Sequence, residues 1–217
     1  MKKFAVILSG CGVYDGTEIH EATMSMLAID QHNAQYTLFA PDVDQAHVIN
    51  HITKQPSDET RNVLVESARI ARGNIQNLKD FDASAFDALL IPGGFGSAKN
   101  LSDYAFKGSA MTVNHDTEIA IKAMYAAGKP IGALCIAPVI LAKLFDGCVV
   151  TIGNDNSTAN NIDQMGSHHK TNAVSEITID EKYKLVTTPC YMLGTRISEI
   201  YAGASMVVEA LLKMMSA

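Results

Sequence analysis

Lys129-Pro130-Ile131-Gly132-Ala133-Leu134-Cys135-Ile136-Ala137-Pro138 decides how this chain is read. Residues 130–134 form a short apolar run bounded by Gly128-Lys129-Pro130, the pattern of a buried strand. Residues 136–145 (IAPVILAKLF) read as an apolar helix with proline near its start. Cys135 therefore falls at a strand-to-helix joint, with small residues, Ala133 and Ala137, on either side. That is the pattern of a nucleophile elbow, in which small neighbours permit a sharp turn. Free N–H groups and the helix dipole at such a joint favour thiolate over thiol. The competing reading is a buried cysteine acting as a small hydrophobe.

Outward from this joint, apolar strands alternate with amphipathic helices. Strands are expected at 4–9, 35–40, 87–91, 130–134, 148–152 and 184–188, with weaker ones at 47–50 and 174–179. Helices are expected at 18–32, 59–72, 116–127, 136–145, 158–165 and 196–214. Such alternation predicts an α/β fold with a mostly parallel central sheet and helices on both faces. No repeat or linker divides the 217 residues, so one domain over 1–217 is expected. Ligands of open α/β sheets bind at the carboxyl edge of the strands, which directs attention to the loops after the strands.

Composition narrows the function. With 47% apolar and 18% charged residues the chain is an ordinary globule, and a net charge of −6 disfavours nucleic acid or an anionic membrane as partner. No apolar run is long enough to span a bilayer, and the opening run of about five apolar residues fits a first strand better than a signal peptide. Four scattered cysteines (11, 135, 148 and 190) without a Cys-x-x-Cys pair disfavour a zinc site or a disulfide framework. They point to reducing, cytoplasmic surroundings.

Two further segments are expected at the sheet edge with Cys135. Ile91-Pro92-Gly93-Gly94-Phe95-Gly96 follows a buried strand, and its glycines let backbone N–H groups approach a substrate as an oxyanion hole. Read alone, Pro-Gly-Gly is a weak motif that fits a plain glycine-rich turn better. Ser9 to Glu21 follows the first strand and carries Glu18, His20 and Glu21. Asp15-Gly16-Thr17-Glu18 reads as a capping box, which gives Glu18 a structural role. Glu21 has none visible: it is either a solvated acid of the first helical turn or an acid set beside the thiol to move protons. His20 and His169 are the candidate proton shuttles, although His20 points about 100° away from Glu21 on an ideal helix. Gly10-x-Gly12-x-x-x-Gly16, with Asp42 after the second strand, also offers a near miss of a dinucleotide fingerprint.

Taken together these motifs resemble the ThiJ/PfpI superfamily, with its flavodoxin-like, class I glutamine amidotransferase-like fold, and most closely its ElbB branch. The resemblance is carried by VILSGCGVYDGTEIHE (6–21), ETRNVLVESARIARG (59–73), LIPGGFGSAKNLS (90–102), AAGKPIGALCIAPVILAKLF (126–145), VVTIGND (149–155) and KLVTTPCYML (184–193). It implies Cys135 as nucleophile, Glu21 as the acid that contacts it, and the Gly94 and Ile136 N–H groups as oxyanion donors. It also implies a glutathione-independent glyoxalase that converts glyoxal to glycolate, with no metal or organic cofactor, in a homodimer. A redox-sensing or stress-binding protein, chaperone- or deglycase-like, would use the same thiol. Ile136 stands where some members have histidine, and the distal His-x-Glu of glutaminase domains is absent, so glutamine hydrolysis is not implied.

Overall fold

The computed structural model describes residues 1–215. Strand β7 (Ile131–Leu134) is buried along its whole length, as a parallel strand covered on both faces must be. It pairs with β11 (Leu185–Thr188) on one side and β6 (Ala88–Ile91) on the other. Beyond β6 the sheet continues through β1 (Lys3–Ile7), β2 (Gln35–Ala40) and β5 (Ile75–Asn77). Strand β10 (Thr178–Asp180) closes the far edge, and its pairing with β11 is the one antiparallel pairing of this sheet among the described residues. The chain runs outward from β1 to β2, then returns to β6 on the other side of β1. The connections after β1 and after β6 run to opposite sides of the sheet order there, the switch point at whose carboxyl edge such sheets bind ligands.

Helices cover both faces. Helices α1 (Ile19–Gln31) and α8 (Ile197–Met214) pack on one another, and α8 also lies on β7 and β11. A Cβ on Gly132 would come within 2.7 Å of Leu90 Cδ1 and 2.8 Å of Val207 Cγ1, so the strand takes α8 this closely only because residue 132 has no side chain. Helices α5 (His115–Ala126) and α6 (Pro138–Leu144) pack on β7, and α2 (Val63–Ile70) on β2 and β5. The starts of α2, α5 and α7 (Asn156–Gln164) are fixed by Asn62, Asn114 and Asp155, whose side chains accept from the N–H of Val65, Thr117 and Thr158. Each such cap satisfies a helical donor left without a partner.

Several expected elements differ. The run 148–152 supplies only β8 (Val149–Val150), which pairs with β9 (His168–His169) outside the main sheet. The place beside β7 belongs to β11, and Thr151 reaches that strand only through its N–H bond to Thr187 Oγ1. The weak strand at 47–50 is a short hairpin of β3 (Ile49–Asn50) with β4 (Gln55–Pro56). Strand β5 was not expected: its Ile-Gln-Asn is too short and polar to show a strand pattern. Two short helices, α3 (Phe95–Lys99) and α4 (Tyr104–Lys107), fill what reads as loop. The expected capping box is replaced. Glu18 is itself the N-cap of α1, its Oε2 accepting from Glu21 N–H at 2.7 Å, while Asp15 Oδ2 accepts from Ile49 N–H at 2.6 Å.

Candidate active site

Cys135 has φ +61°, the left-handed conformation that non-glycine residues seldom adopt. The strand-to-helix turn imposes it: Cys135 N–H still bonds Thr188 O as part of the sheet (3.0 Å), and the chain turns at once toward α6. A left-handed cysteine stores strain, and such residues cluster at functional sites. The side chain is 7% exposed. Its sulfur takes hydrogen bonds from the N–H groups of Gly94 and Ile136, the two expected oxyanion donors, and meets the Glu21 carboxyl.

Glu21 is fully buried on the inner face of α1, so it is not the solvated acid of the alternative reading. Its Oε2 accepts from Gly93 N–H at 2.9 Å and its Oε1 from Tyr191 N–H at 3.1 Å. Three loops, following β6, β7 and β11, thus meet on one carboxyl group. The glycines after β6 make the approach possible. A Cβ on Gly93 would lie 2.4 Å from Cys135 Cβ and 2.5 Å from Glu21 Oε2, and one on Gly94, at φ +98°, would lie 2.3 Å from Glu18 N. The loop therefore presses its backbone donors directly onto the thiol and the acid.

Burial sets the protonation. It pushes the Glu21 carboxyl up to about 8, against the N–H bond from Tyr191 and with the help of the nearby Glu18 charge. At neutral pH Glu21 is therefore an acid carrying its proton, able to donate to sulfur or oxygen. The Cys135 thiol is pushed well above its ordinary range, first by burial and then by the Glu21 charge, while the N–H groups of Gly94 and Ile136 pull it down. This corrects the expectation of a thiolate at neutral pH: desolvation outweighs the donors at the turn. The two groups titrate as a pair. Loss of the first proton, from Glu21, as pH rises through about 8 leaves a carboxylate beside a thiol that still carries its own proton.

Tyr191 was not singled out from the sequence. Its N–H holds Glu21, and its hydroxyl shares a 2.8 Å hydrogen bond with His20 Nδ1. Pro189-Cys190 turns it inward after β11, with Cys190 also left-handed at φ +43°. Its position in 184–193, after a strand at the same sheet edge, was the available signal. His20 is half exposed and reaches the site through Tyr191, while its Nδ1 lies 3.9 Å from Glu18 Oε1. His169 is not brought to the cysteine: its Nε2 accepts from Ile152 N–H at 3.4 Å, and burial lowers its pKa. A cavity of about 390 Å3 opens in front of Cys135, with Tyr191, Thr158 and Gly94 in its wall.

The dinucleotide reading is set aside by the same loops. The N–H groups of Gly10, Gly12 and Gly16 are taken by Ser67 Oγ, Thr17 O and Gly12 O, leaving none turned outward for a pyrophosphate. Asp42 accepts from Asn62 Nδ2 at 2.7 Å, a structural bond beside the cap of α2.

Comparison with known proteins identifies the family and the fold. The pattern of the DJ-1/PfpI family matches residues 74–187. Human glutamine amidotransferase-like class 1 domain-containing protein 3, mitochondrial, is 46% identical over 98% of this chain and 83% of its own. The rat ES1 protein homolog, mitochondrial, is 45% identical over 98% of this chain and 84% of its own. Among solved structures, an isoprenoid biosynthesis protein with an amidotransferase-like domain from Ehrlichia chaffeensis superposes with a TM-score of 0.92, 36% identical and covering 99% of both chains. Glyoxalase III from Candida albicans shares the fold at a TM-score of 0.61, 14% identical, over 96% of this chain and 97% of its own. The cytoplasmic expectation is overturned, because the curated relatives are mitochondrial by name. Scattered thiols indicate reducing surroundings and do not select among compartments that share them. A match over this much of the sequence, with the elbow cysteine and its acid in place, settles the family: the chain belongs to the DJ-1/PfpI family.

Proposed function

We propose that the protein is a cofactor-independent glyoxalase acting on small 2-oxoaldehydes, glyoxal among them. The observation that carries this reading is the pairing of a strained cysteine with a buried, protonated glutamic acid under two backbone N–H groups. Those groups supply a nucleophile, an acid/base and charge stabilisation at one point. The likeness to glyoxalase III is one of fold alone, so the activity rests on the chemistry of the site.

In the proposed reaction the carboxylate form of Glu21 takes the Cys135 thiol proton as Sγ bonds to the aldehyde carbon, and passes that proton to the former aldehyde oxygen, which becomes the hemithioacetal hydroxyl against the N–H groups of Gly94 and Ile136. The former aldehyde hydrogen leaves as a proton, carried by Glu21, and returns to the neighbouring carbon through an enediol. The first carbon is thereby oxidised to a thioester and the second reduced to an alcohol, with no outside oxidant or reductant. Water then attacks the thioester, the S–C bond breaks, and the 2-hydroxy acid leaves.

Purified protein given glyoxal without glutathione is expected to form glycolate, one per glyoxal consumed, as measured by chromatography of the reaction mixture. Glyoxal loss without glycolate would mean simple adduct formation and would refute the reading. A peroxide sensor needs an exposed, low-pKa cysteine, and Cys135 is neither.

A further inference from the structure

Resting on the aldehyde chemistry proposed above, we infer that the preferred substrate is a 2-oxoaldehyde bearing an apolar, ring-sized substituent, and that glyoxal is a poor member of the class. The cavity of about 390 Å3 lies in the range that accommodates drug-sized ligands. Glyoxal, two carbonyl carbons and nothing more, would leave most of it empty or filled with water.

The walls define the missing part. Val13, Phe95, Ala98, Tyr104, Ile136 and Met192 line the cavity along with the sulfur, and no charged side chain lines it among the described residues. A carboxylate or phosphate on the substrate would give up its hydration there without gaining a partner. An alkyl or aryl group would gain by leaving water. Phe95, in the cavity wall, is itself 46% exposed, so the apolar lining extends to the protein surface. The reactive point in this wall is Cys135, with the N–H groups of Gly94 and Ile136 at its sulfur. The site thus sets one reactive cysteine in a largely apolar wall, and a substrate matching both carries a dicarbonyl for the sulfur and a hydrophobic substituent for the rest of the space. The chemistry is unchanged, with the ketone carbon reduced to the alcohol as the aldehyde carbon becomes the acid.

The test compares glyoxal, methylglyoxal and phenylglyoxal, with glycolate, lactate and mandelate as measured products. kcat/KM is expected to rise in that order, phenylglyoxal exceeding glyoxal by about tenfold or more, since even one methylene in an apolar pocket is worth about that. Ala105→Phe, which fills the cavity, should bring the phenylglyoxal-to-glyoxal ratio back toward one. A parallel measurement needs no turnover: 2-hydroxyacetophenone should raise the Tm of the unmodified protein more than hydroxyacetone does. If glyoxal equals or exceeds phenylglyoxal while both are turned over, the substituent inference is overturned and the glyoxalase reading stands. If none of the three yields its hydroxy acid, both fall. Equal thermal shifts from the two ketones would also overturn the inference.

Discussion

Cys135→Ser is expected to form glycolate from glyoxal at least about a thousandfold more slowly than the parent protein, the scale on which losing a covalent nucleophile registers. The hydroxyl fits the space left by the thiol but is a far weaker nucleophile at any pH the fold tolerates. The left-handed backbone at residue 135 is fixed by the strand-to-helix turn and by its N–H bond to Thr188 O, so the variant should fold. Circular dichroism and Tm check that point. Retention of more than a tenth of the activity would remove covalent catalysis from the account.

Glu21→Gln carries the second large effect. General acid/base groups contribute about a hundredfold to ten-thousandfold, and the variant is expected to lose activity in that range. The pH profile is the sharper readout. In the parent, the Cys135–Glu21 pair gives up its first proton near pH 8, so activity should rise through that pH. The variant should lose this rise and keep only the slower ascent of an isolated, buried thiol. Stability supplies a second, independent sign. An unfolded chain ionises Glu21 near its ordinary 4.5, whereas the folded protein holds the proton to about 8. Between those values the unfolded state binds fewer protons, so wild-type stability falls as pH rises, by up to about 1.4 kcal/mol per unit from this group. The slope vanishes above about 8, where both states are ionised. Glu21→Gln should flatten this segment of the stability profile. Its amide opposes one of the two N–H donors from Gly93 and Tyr191, so part of the gain is lost in a donor–donor contact.

The sheet, most of the helices and the elbow were legible because each rests on local pattern: a buried apolar run, a helical stripe, small residues flanking Cys135. Elements without pattern were not. Ile75-Gln76-Asn77 becomes a strand because β2 presents it an edge, and 148–152 leaves the main sheet because β11 fills the place beside β7. The acid was only half legible. Spacing put Glu21 one turn from the helix start, but its burial depends on loops from three distant strands. Tyr191 contributes a backbone N–H to Glu21, which any residue except proline could offer. The protonation state was misread because a helix start announces its dipole in the sequence, while the desolvation that overrides it is a property of the folded pocket.

The central claim is that the Glu21 carboxylate, formed near pH 8, takes the Cys135 proton and so governs the reactivity of the sulfur. It is tested most directly by the rate of Cys135 alkylation by iodoacetamide across pH, followed by peptide mass spectrometry with the partly exposed Cys11 as internal reference. The account predicts a rise in Cys135 labelling with a midpoint near 8, displaced to higher pH in Glu21→Gln, where the thiol must ionise without a carboxyl to take its proton. A midpoint that Glu21→Gln leaves in place would contradict it.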